Sequence, residues 1–266
     1  MSVWDLYESR VIAHGGDKYN ASHIRECRAL ERYLKDNLSY QNVEIFPMEY
    51  GYNIDSESSL EGKLTQNVAI IDSDNLNEKF IYSLPQENIV LGSLVVWRDN
   101  YWLVVERDAN ATVYTRAKLL QCNYLLKWVT DDNQIISQWC VVDDGTKYLT
   151  GEYEDRNFVV TRGDTRISVQ LAKTKYSSIL DRNNRFLIDD NDSPYKLAYQ
   201  LTKPFKMGTV FGGEGTFKFV LQEVTATEYD NHELSIADYY RHFPKKIDDN
   251  IVDGDKQESD GKKVWI

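Results

Sequence analysis

The sequence predicts a mainly β protein with an N-terminal helix, built as a small barrel or sandwich of short antiparallel strands. The chain contains 18 tyrosines and 9 phenylalanines but only 5 prolines, a balance that suits half-buried strands. Short apolar runs follow one another between turn signals from residue 88 onward, a spacing typical of all-β sandwiches and barrels. A single helical stripe of apolar residues precedes them.

The helical stripe runs from Asn20 to Leu38. Its apolar positions are Ile24, Cys27, Leu30, Leu34 and Leu38. We expect Asn20 to be the N-cap, because the glycines at 15 and 16 interrupt any continuation from residues 2–13. The other face carries the basic residues Arg25, Arg28, Arg32 and Lys35 with the acidic residues Glu26 and Glu31. This face is interpreted either as a solvated surface with intrahelical ion pairs or as a docking face for a larger acidic partner.

Residues 1–85 are predicted to form this helix and an extended arm region, with strands at 43–46 and 68–71 and an exposed loop at 52–66. Residues 86–175 are predicted to form the β-barrel or sandwich domain. Its strands are expected at 90–97, 101–106, 111–114, 122–129, 135–142, 158–161 and 167–171, separated by turns rich in Asp, Asn and Gly.

Residues 176–243 are predicted to form a second β group that completes or flanks the barrel. Strands are expected at 186–188, 195–202 and 215–224, followed by a short helix or extended arm at 233–243. The order of strand, acidic turn, strand, loop and strand also describes residues 93–128. This similarity indicates either an internal duplication or two ordinary hairpins.

Residues 244–266 are predicted to be a flexible tail. They are polar and charged and cannot bury enough apolar surface to order themselves. The tail ends in Val264, Trp265 and Ile266, so we expect it to act as a tether that packs on a neighbouring subunit.

The composition argues against several functional classes. The 266 residues carry a formal net charge of -11, and because an acidic surface repels phosphate we expect no general wrapping of nucleic acid. Simple solubility is the other interpretation of this charge. The cysteines, Cys27, Cys122 and Cys140, and the 4 histidines are scattered, which predicts no metal or cofactor site and free thiols in a reducing compartment. No signal peptide or membrane-spanning run is predicted, so the chain is expected to remain in the cytoplasm until it is assembled.

Motifs for catalysis are missing from the sequence. It contains neither a phosphate-binding GxxxxGK[ST] loop nor a GxSxG nucleophile turn. Residues 212–215 (GGEG) predict a hairpin turn, and the acid pairs at 143–144 and 189–190 are interpreted as turn residues. Cys140 lies between Trp139 and Val141, which favours a strand interior. We therefore expect no enzyme and assign no catalytic, cofactor-binding or metal-binding residue.

A resemblance begins at residues 114–128, which read YTRAKLLQCNYLLKW. The other matching phrases are GSLVVWRDNYWLVVERD at 92–108, WCVVDDGTKYLTGE at 139–152, RFLIDD at 185–190, LAYQLTKP at 197–204 and DNHELSIADYY at 230–240. In this order they resemble structural proteins of tailed phages that infect Gram-positive bacteria, of the head–tail connector or head-closure type. The resemblance covers roughly residues 75–243 and consists of packing and turn phrases.

The resemblance implies a β-barrel subunit of a homo-oligomeric ring, twelvefold or sixfold, in the neck of the virion. Such a ring joins the portal to the tail as an adaptor or stopper and helps to retain or gate packaged DNA, which passes without specific binding. The expected partners are the portal or adaptor ring and tail proteins, with no membrane. The loops 52–66 and 204–215 are candidates for the channel or the partner ring. The candidate partner-contact residues are Arg28, Arg32, Lys35, Lys206 and Trp265.

Other functions fit the same composition. A tail-completion or baseplate-proximal protein would have a similar fold at another position in the virion. A carbohydrate-binding module of a receptor-binding apparatus could stack its aromatic residues on sugars, and a tail-associated hydrolase would degrade cell wall.

Overall fold

The computed structural model describes residues 2–13, 15–49, 62–84, 87, 89–108, 113–144, 166–189, 193–207 and 209–244. Two antiparallel sheets follow a pair of N-terminal helices in these ranges. The predicted class, mainly β with a small barrel of short strands behind an N-terminal helix, is confirmed. The predicted strand at 158–161, most of the predicted loop 52–66, and the tail after residue 244 lie outside the described residues.

Three helices are present in the described residues: α1 Val3–Ala13, α2 Lys18–Lys35 and α3 Tyr239–His242. The predicted N-cap of the second helix was wrong. Asp17 caps it instead, because its carboxylate accepts a hydrogen bond of 2.8 Å from the backbone N–H of Asn20. Helix α2 buries only Leu34, which packs with Ala69 and Leu84. The predicted element at 233–243 contains only the four residues of α3.

The first sheet is a closed barrel in the order β1-β2-β3-β6-β5-β4. Its strands are β1 Tyr40–Phe46, β2 Leu64–Asp72, β3 Glu78–Ser83, β4 Leu94–Trp97, β5 Asn100–Arg107 and β6 Thr115–Gln121. The barrel closes because β1 pairs with β4 as well as with β2, with Ile45 opposite Val95. Closure leaves its strands without an open edge. Alternate residues such as Val43, Ile81 and Leu119 fill the interior.

The second sheet runs in the order β10-β11-β13-β9-β8-β7, and β12 pairs with β13. Its strands are β7 Tyr124–Val129, β8 Ile135–Asp144, β9 Arg166–Ala172, β10 Arg185–Ile188, β11 Leu197–Phe205, β12 Val210–Phe211 and β13 Glu214–Val224. Large buried side chains such as Leu126, Phe186 and Phe219 share one core, so the curved sheet encloses an interior of its own.

The two sheets share one topology. When β12 is set aside, each sheet orders its six strands as first, second, third, sixth, fifth and fourth along the chain. Each also has a register shift between its fifth and sixth strands, after Val104 in β5 and after Leu201 in β11. A shared six-strand order with an irregularity at the same place favours the internal duplication over two ordinary hairpins.

The strand pairing divides the chain differently from the predicted boundaries at 86 and 175. The first barrel ends at Gln121 and the second sheet begins at Tyr124. Strands β7, β8 and β9 therefore pair within the second sheet, although the sequence placed them in the first domain. Of the predicted strand at 111–114, residues 111 and 112 lie outside the described residues, and residues 113 and 114 are not in a strand, since β6 begins at Thr115.

The acidic pair Asp143 and Asp144 was predicted to lie in a turn, and this prediction was wrong. Both residues belong to β8 and pair with Ser168 and Ile167 of β9. The neighbouring strand extends far enough to bind their backbone groups, which overrides the local preference of aspartate for turns.

The barrel and the second sheet are joined by direct contacts. The rings of Tyr101 and Trp139 stack with centroids 4.3 Å apart, and Arg107 of the barrel pairs with Glu214 of β13 at 3.1 Å. A shared apolar cluster surrounds these contacts and consists of Phe46, Leu94, Leu103, Val105, Cys122 and Ala172. The two units therefore meet through packed side chains rather than through a flexible linker alone.

A hydrogen bond connects β7 and β10, the two outermost strands of the second sheet. The Tyr124 hydroxyl on β7 donates to the carbonyl of Leu187 on β10 at 3.0 Å, and burial raises the pKa of this phenol to about 12. We expect Tyr124→Phe to cost about 1–2 kcal/mol of unfolding free energy, because the buried carbonyl loses its donor. Urea denaturation measures this loss.

The matched control is Tyr176→Phe. The hydroxyl of Tyr176 also donates a hydrogen bond, of 3.1 Å to the side chain of Gln134, but this bond is exposed to solvent. Water can replace it, so we expect a change under about 0.5 kcal/mol. Equal losses in the two variants would contradict the role of the Tyr124 bond in closing the sheet.

Candidate interaction surfaces

Helix α1 exposes apolar side chains without burying any residue. Trp4 is 74% exposed and Ile12 is 72% exposed, and Val3 and Tyr7 are also exposed. An isolated helix of this length is marginal in water, and a soluble protein rarely leaves such a group of apolar side chains uncovered. The helix therefore has the properties of an element that packs on another molecule.

Helix α2 carries the predicted basic residues on an exposed face. Arg28 and Arg32 are exposed, whereas the Lys35 ammonium pairs with Glu31 at 2.6 Å. This hydrogen-bonded pair raises the pKa of Lys35 and lowers the pKa of Glu31. The structure thus shows one intrahelical ion pair of the kind expected for a solvated face, and docking through the two arginines stays a prediction.

A polar cleft of about 950 Å³ lies where the barrel meets the second sheet. Its lining residues are Asp74, Asn75, Leu76, Asn77, Glu78, Leu120, Gln121, Cys122, Asn123, Val141, Val142, Asp143, Ser168, Gln170 and Lys218. None of these described lining residues is aromatic. The cleft therefore lacks the ring platform on which a carbohydrate-binding module would stack a sugar.

Two titratable groups of the cleft, Glu78 and Cys122, have shifted pKa values. Burial works to raise the pKa of Glu78, but hydrogen bonds from Lys118, Asn75 and Ser73 outweigh it and lower the pKa. The carboxylate pairs with Lys118 at 3.0 Å, so it is ionised at neutral pH and cannot donate a proton. Burial raises the pKa of the Cys122 thiol well above its usual value, which leaves the thiol protonated.

Metal-binding clusters and membrane-spanning helices are absent from the described ranges. No group of three or more His, Cys, Asp or Glu side chains there could hold a metal ion. No helix in those ranges is long and apolar enough to span a membrane. Cys140 is a free, fully buried thiol on β8, and burial raises its pKa to about 12.

The predicted loop 204–215 is a strand hairpin with an apolar end. Strands β12 and β13 pair across Gly212 and Gly213, whose φ angles of 59° and 94° suit a two-residue hairpin turn. The predicted hairpin turn is therefore confirmed. Exposed apolar side chains project from this end of the second sheet. They are Ile179, Phe205, Met207 and Phe211, and with Lys173 and Lys206 they form what we call the tip surface.

The structure places the predicted contact residues on different elements. Arg28, Arg32 and Lys35 lie on α2, which packs on the barrel, whereas Lys206 directly follows β11 of the second sheet. Trp265 lies outside the described residues. Of the predicted loop 52–66, residues 64–66 belong to β2 rather than to a loop.

Sequence reasoning missed α1 as a candidate contact element. The available signal was the spacing of Val3, Leu6 and Tyr7, three and four residues apart, which is typical of a helix face. The predicted loop 204–215 contains most of the tip surface, but sequence reasoning missed Lys173 and Ile179, which lie in a separate segment of the chain.

Comparisons with known proteins returned no match: no protein-family model, no curated protein and no solved structure matches this chain at a significant level. The surfaces described above supply the physical basis for a proposed function.

Proposed function

We propose that the chain is a non-enzymatic structural subunit of a tailed phage particle, one copy of a ring in the neck between head and tail. The observation that supports an assembly role is α1, a helix that exposes Trp4 and Ile12 and buries no residue of its own. The assignment to the neck comes from the resemblance over residues 75–243. The ring joins the portal to the tail and helps to retain packaged DNA.

A closed ring of identical subunits needs two different complementary surfaces on each copy. Helix α2 supplies a basic one, with Lys18, Arg25, Arg28, Arg32 and Lys35 against Glu26 and Glu31, a net charge of +3. The whole chain carries -11, so the residues outside α2 carry -14. A positive helix beside an exposed apolar helix therefore complements the acidic remainder of a neighbouring copy.

The acidic surface also suits a channel for DNA. Acidic residues facing the lumen repel phosphate, so the genome slides through without binding. The closed barrel presents no open strand edge, which limits edge-to-edge aggregation before assembly. A ring structure with a basic lumen would contradict the sliding role.

The test uses particles produced with variant chains. Trp4→Glu combined with Ile12→Glu is expected to lower incorporation into purified particles at least tenfold, because the charges prevent α1 from packing on its partner. The urea midpoint of the isolated chain should stay unchanged, since neither side chain is buried. Quantitative mass spectrometry of the particles measures the incorporated copies.

The matched control is Leu76→Glu, at a side chain that is 87% exposed in the turn between β2 and β3. This variant should be incorporated like the unchanged chain.

Electron microscopy of particles that lack the chain then identifies its position. Loss of a stopper yields heads that package and leak DNA, whereas loss of a baseplate protein yields full, stable heads. Absence of the chain from purified virions, or turnover of a substrate by the purified chain, would overturn the proposal.

A further inference from the structure

The tip surface combines exposed apolar side chains with positive charge. Met207 is 85% exposed and Phe211 is 70% exposed. The Lys173 ammonium donates to the carbonyl of Gly213 at 2.7 Å, and the Lys206 ammonium donates to the carbonyl of Ser178 at 2.8 Å. Because carbonyls are neutral, these bonds orient the two ammonium groups without neutralising them, and neither lysine forms a salt bridge with a carboxylate among the described residues. Such a surface fits an acidic peptide that also carries aliphatic side chains.

The last described residues of the chain lie at the same end of the second sheet as this surface. The His242 ring nitrogen Nδ1 lies 3.0 Å from the Asn133 side chain, in the turn between β7 and β8. The next residue of that turn, Gln134, accepts the hydrogen bond from Tyr176. The segment 173–178 that contains Tyr176 also contains Lys173 and Ser178, whose carbonyl accepts the hydrogen bond from Lys206. Pro244 therefore lies at the same end of the second sheet as the tip surface.

The segment that follows Pro244 has the complementary chemistry. Residues 247–255 read IDDNIVDGD. They contain four aspartates and no basic residue, together with Ile247, Ile251 and Val252. Eleven residues beyond Pro244 can extend at most about 36–40 Å. A tether of this length keeps the segment at an effective concentration on the order of millimolar.

We propose that residues 247–255 dock on the tip surface of the same chain. Ile251 and Val252 cover Met207 and Phe211, and the aspartates lie beside Lys173 and Lys206. The docked segment shields the apolar end of the second sheet while the chain is unassembled. This inference does not depend on the ring, because it follows from charge, exposed apolar area and the position of Pro244.

Disulfide trapping in the full chain tests this docking. Every variant carries Cys27→Ser, since the other native thiols, Cys122 and Cys140, are buried. The pair Met207→Cys with Ile251→Cys, oxidised with copper–phenanthroline at low micromolar protein, is expected to form a disulfide within the monomer. It should form at least tenfold faster than in the control pair Leu76→Cys with Ile251→Cys. Non-reducing gel mobility measures both rates.

Charge reversal tests the electrostatic part. Lys173→Glu with Lys206→Glu should slow disulfide formation between positions 207 and 251 at least fivefold. In the chain that keeps both lysines, 0.5 M salt should also slow this reaction. The matched control is Lys18→Glu with Arg25→Glu on α2, which changes the net charge equally and should leave the rate unchanged.

Three results would overturn the inference. The first is a Met207–Ile251 trapping rate equal to that of the Leu76 control. The second is disulfide-linked dimers in place of monomers. The third combines two observations. The disulfide forms at the control rate, and the chain binds vesicles of phosphatidylcholine and phosphatidylglycerol unless it carries Met207→Glu with Phe211→Glu. That result would assign the tip surface to anionic lipid.

Discussion

Gly92→Ala is expected to lower the free energy of unfolding by about 3–5 kcal/mol, a large loss for a single methyl group. Gly92 precedes β4 of the barrel and has a φ angle of 86°. A Cβ atom there would lie 2.2 Å from the carbonyl oxygen of Gly215 on β13. That oxygen also accepts the N–H of Lys173, so it cannot move away without breaking a backbone bond of the second sheet. The methyl group would push the barrel and the second sheet apart.

The matched control is Gly213→Ala. Gly213 has a similar φ angle of 94°, but a Cβ atom there would meet no other atom within 4 Å. For this variant only the conformational cost of a positive φ lowers the free energy of unfolding, by about 1–2 kcal/mol. Urea denaturation of both variants separates backbone strain from the steric conflict. If both variants lose the same free energy, the close approach of Gly92 to Gly215 is not what joins the two units.

Asp230→Asn is expected to destabilise the chain by about 3–5 kcal/mol, because it leaves a buried arginine with an incomplete set of partners. The Asp230 side chain is fully buried, and Arg185 of β10 binds both of its oxygens at 2.9 and 3.0 Å. The same carboxylate accepts the backbone N–H groups of Thr227 and Asp238. Through these bonds Asp230 attaches the segment 225–243 to the second sheet.

The control for this network is Arg241→Ala. Arg241 also pairs with Asp238, at 3.1 Å, but its side chain is 57% exposed, so we expect a loss under about 1 kcal/mol.

Arg185→Ala should destabilise the chain as strongly as Asp230→Asn. The double variant should lose less than the sum of the two, since each change removes the same interaction. Additive losses would contradict a shared network.

The same carboxylate predicts a pH dependence. Burial works to raise the pKa of Asp230, but the hydrogen bonds from Asp238, Thr227 and Arg185 outweigh it, and the pKa is lowered. A lowered native pKa stabilises the fold above the unfolded pKa, about 3.9, and this stabilisation is lost as the pH falls through the native pKa. The difference in unfolding free energy between the unchanged chain and Asp230→Asn should therefore have its largest value at pH 7 and decrease below about pH 4.

Local sequence patterns predicted most strands where alternation and turn residues agree. Residues 135–142 and 167–171 lie within β8 and β9, and the turn at 212–213 closes a hairpin as expected. Strand β3, Glu78–Ser83, was missed although it is paired on both sides. Its partner β6 lies more than thirty residues further along the chain, and such a pairing leaves no local signal.

The candidate surfaces were predicted only in part. The basic residues of α2 are visible as a helical pattern, and the structure leaves Arg28 and Arg32 exposed as that pattern indicates. The loop 204–215 was a predicted contact region, but its association with Ile179 could not be read from the sequence. Ile179 lies in a segment separate from Met207 and Phe211, and only folding places all three at one end of the second sheet without burying them.

By itself the sequence determined the class of fold, the positions of most strands and the acidic charge, because alternation, turn chemistry and composition act between near neighbours. The tertiary structure alone decided which strands pair, where the chain divides into two units, and which apolar side chains remain exposed. These outcomes depend on contacts such as Gly92 with Gly215 and Arg185 with Asp230, whose partners are 45 residues apart or more. Long-range contacts of this kind form only when the whole chain packs.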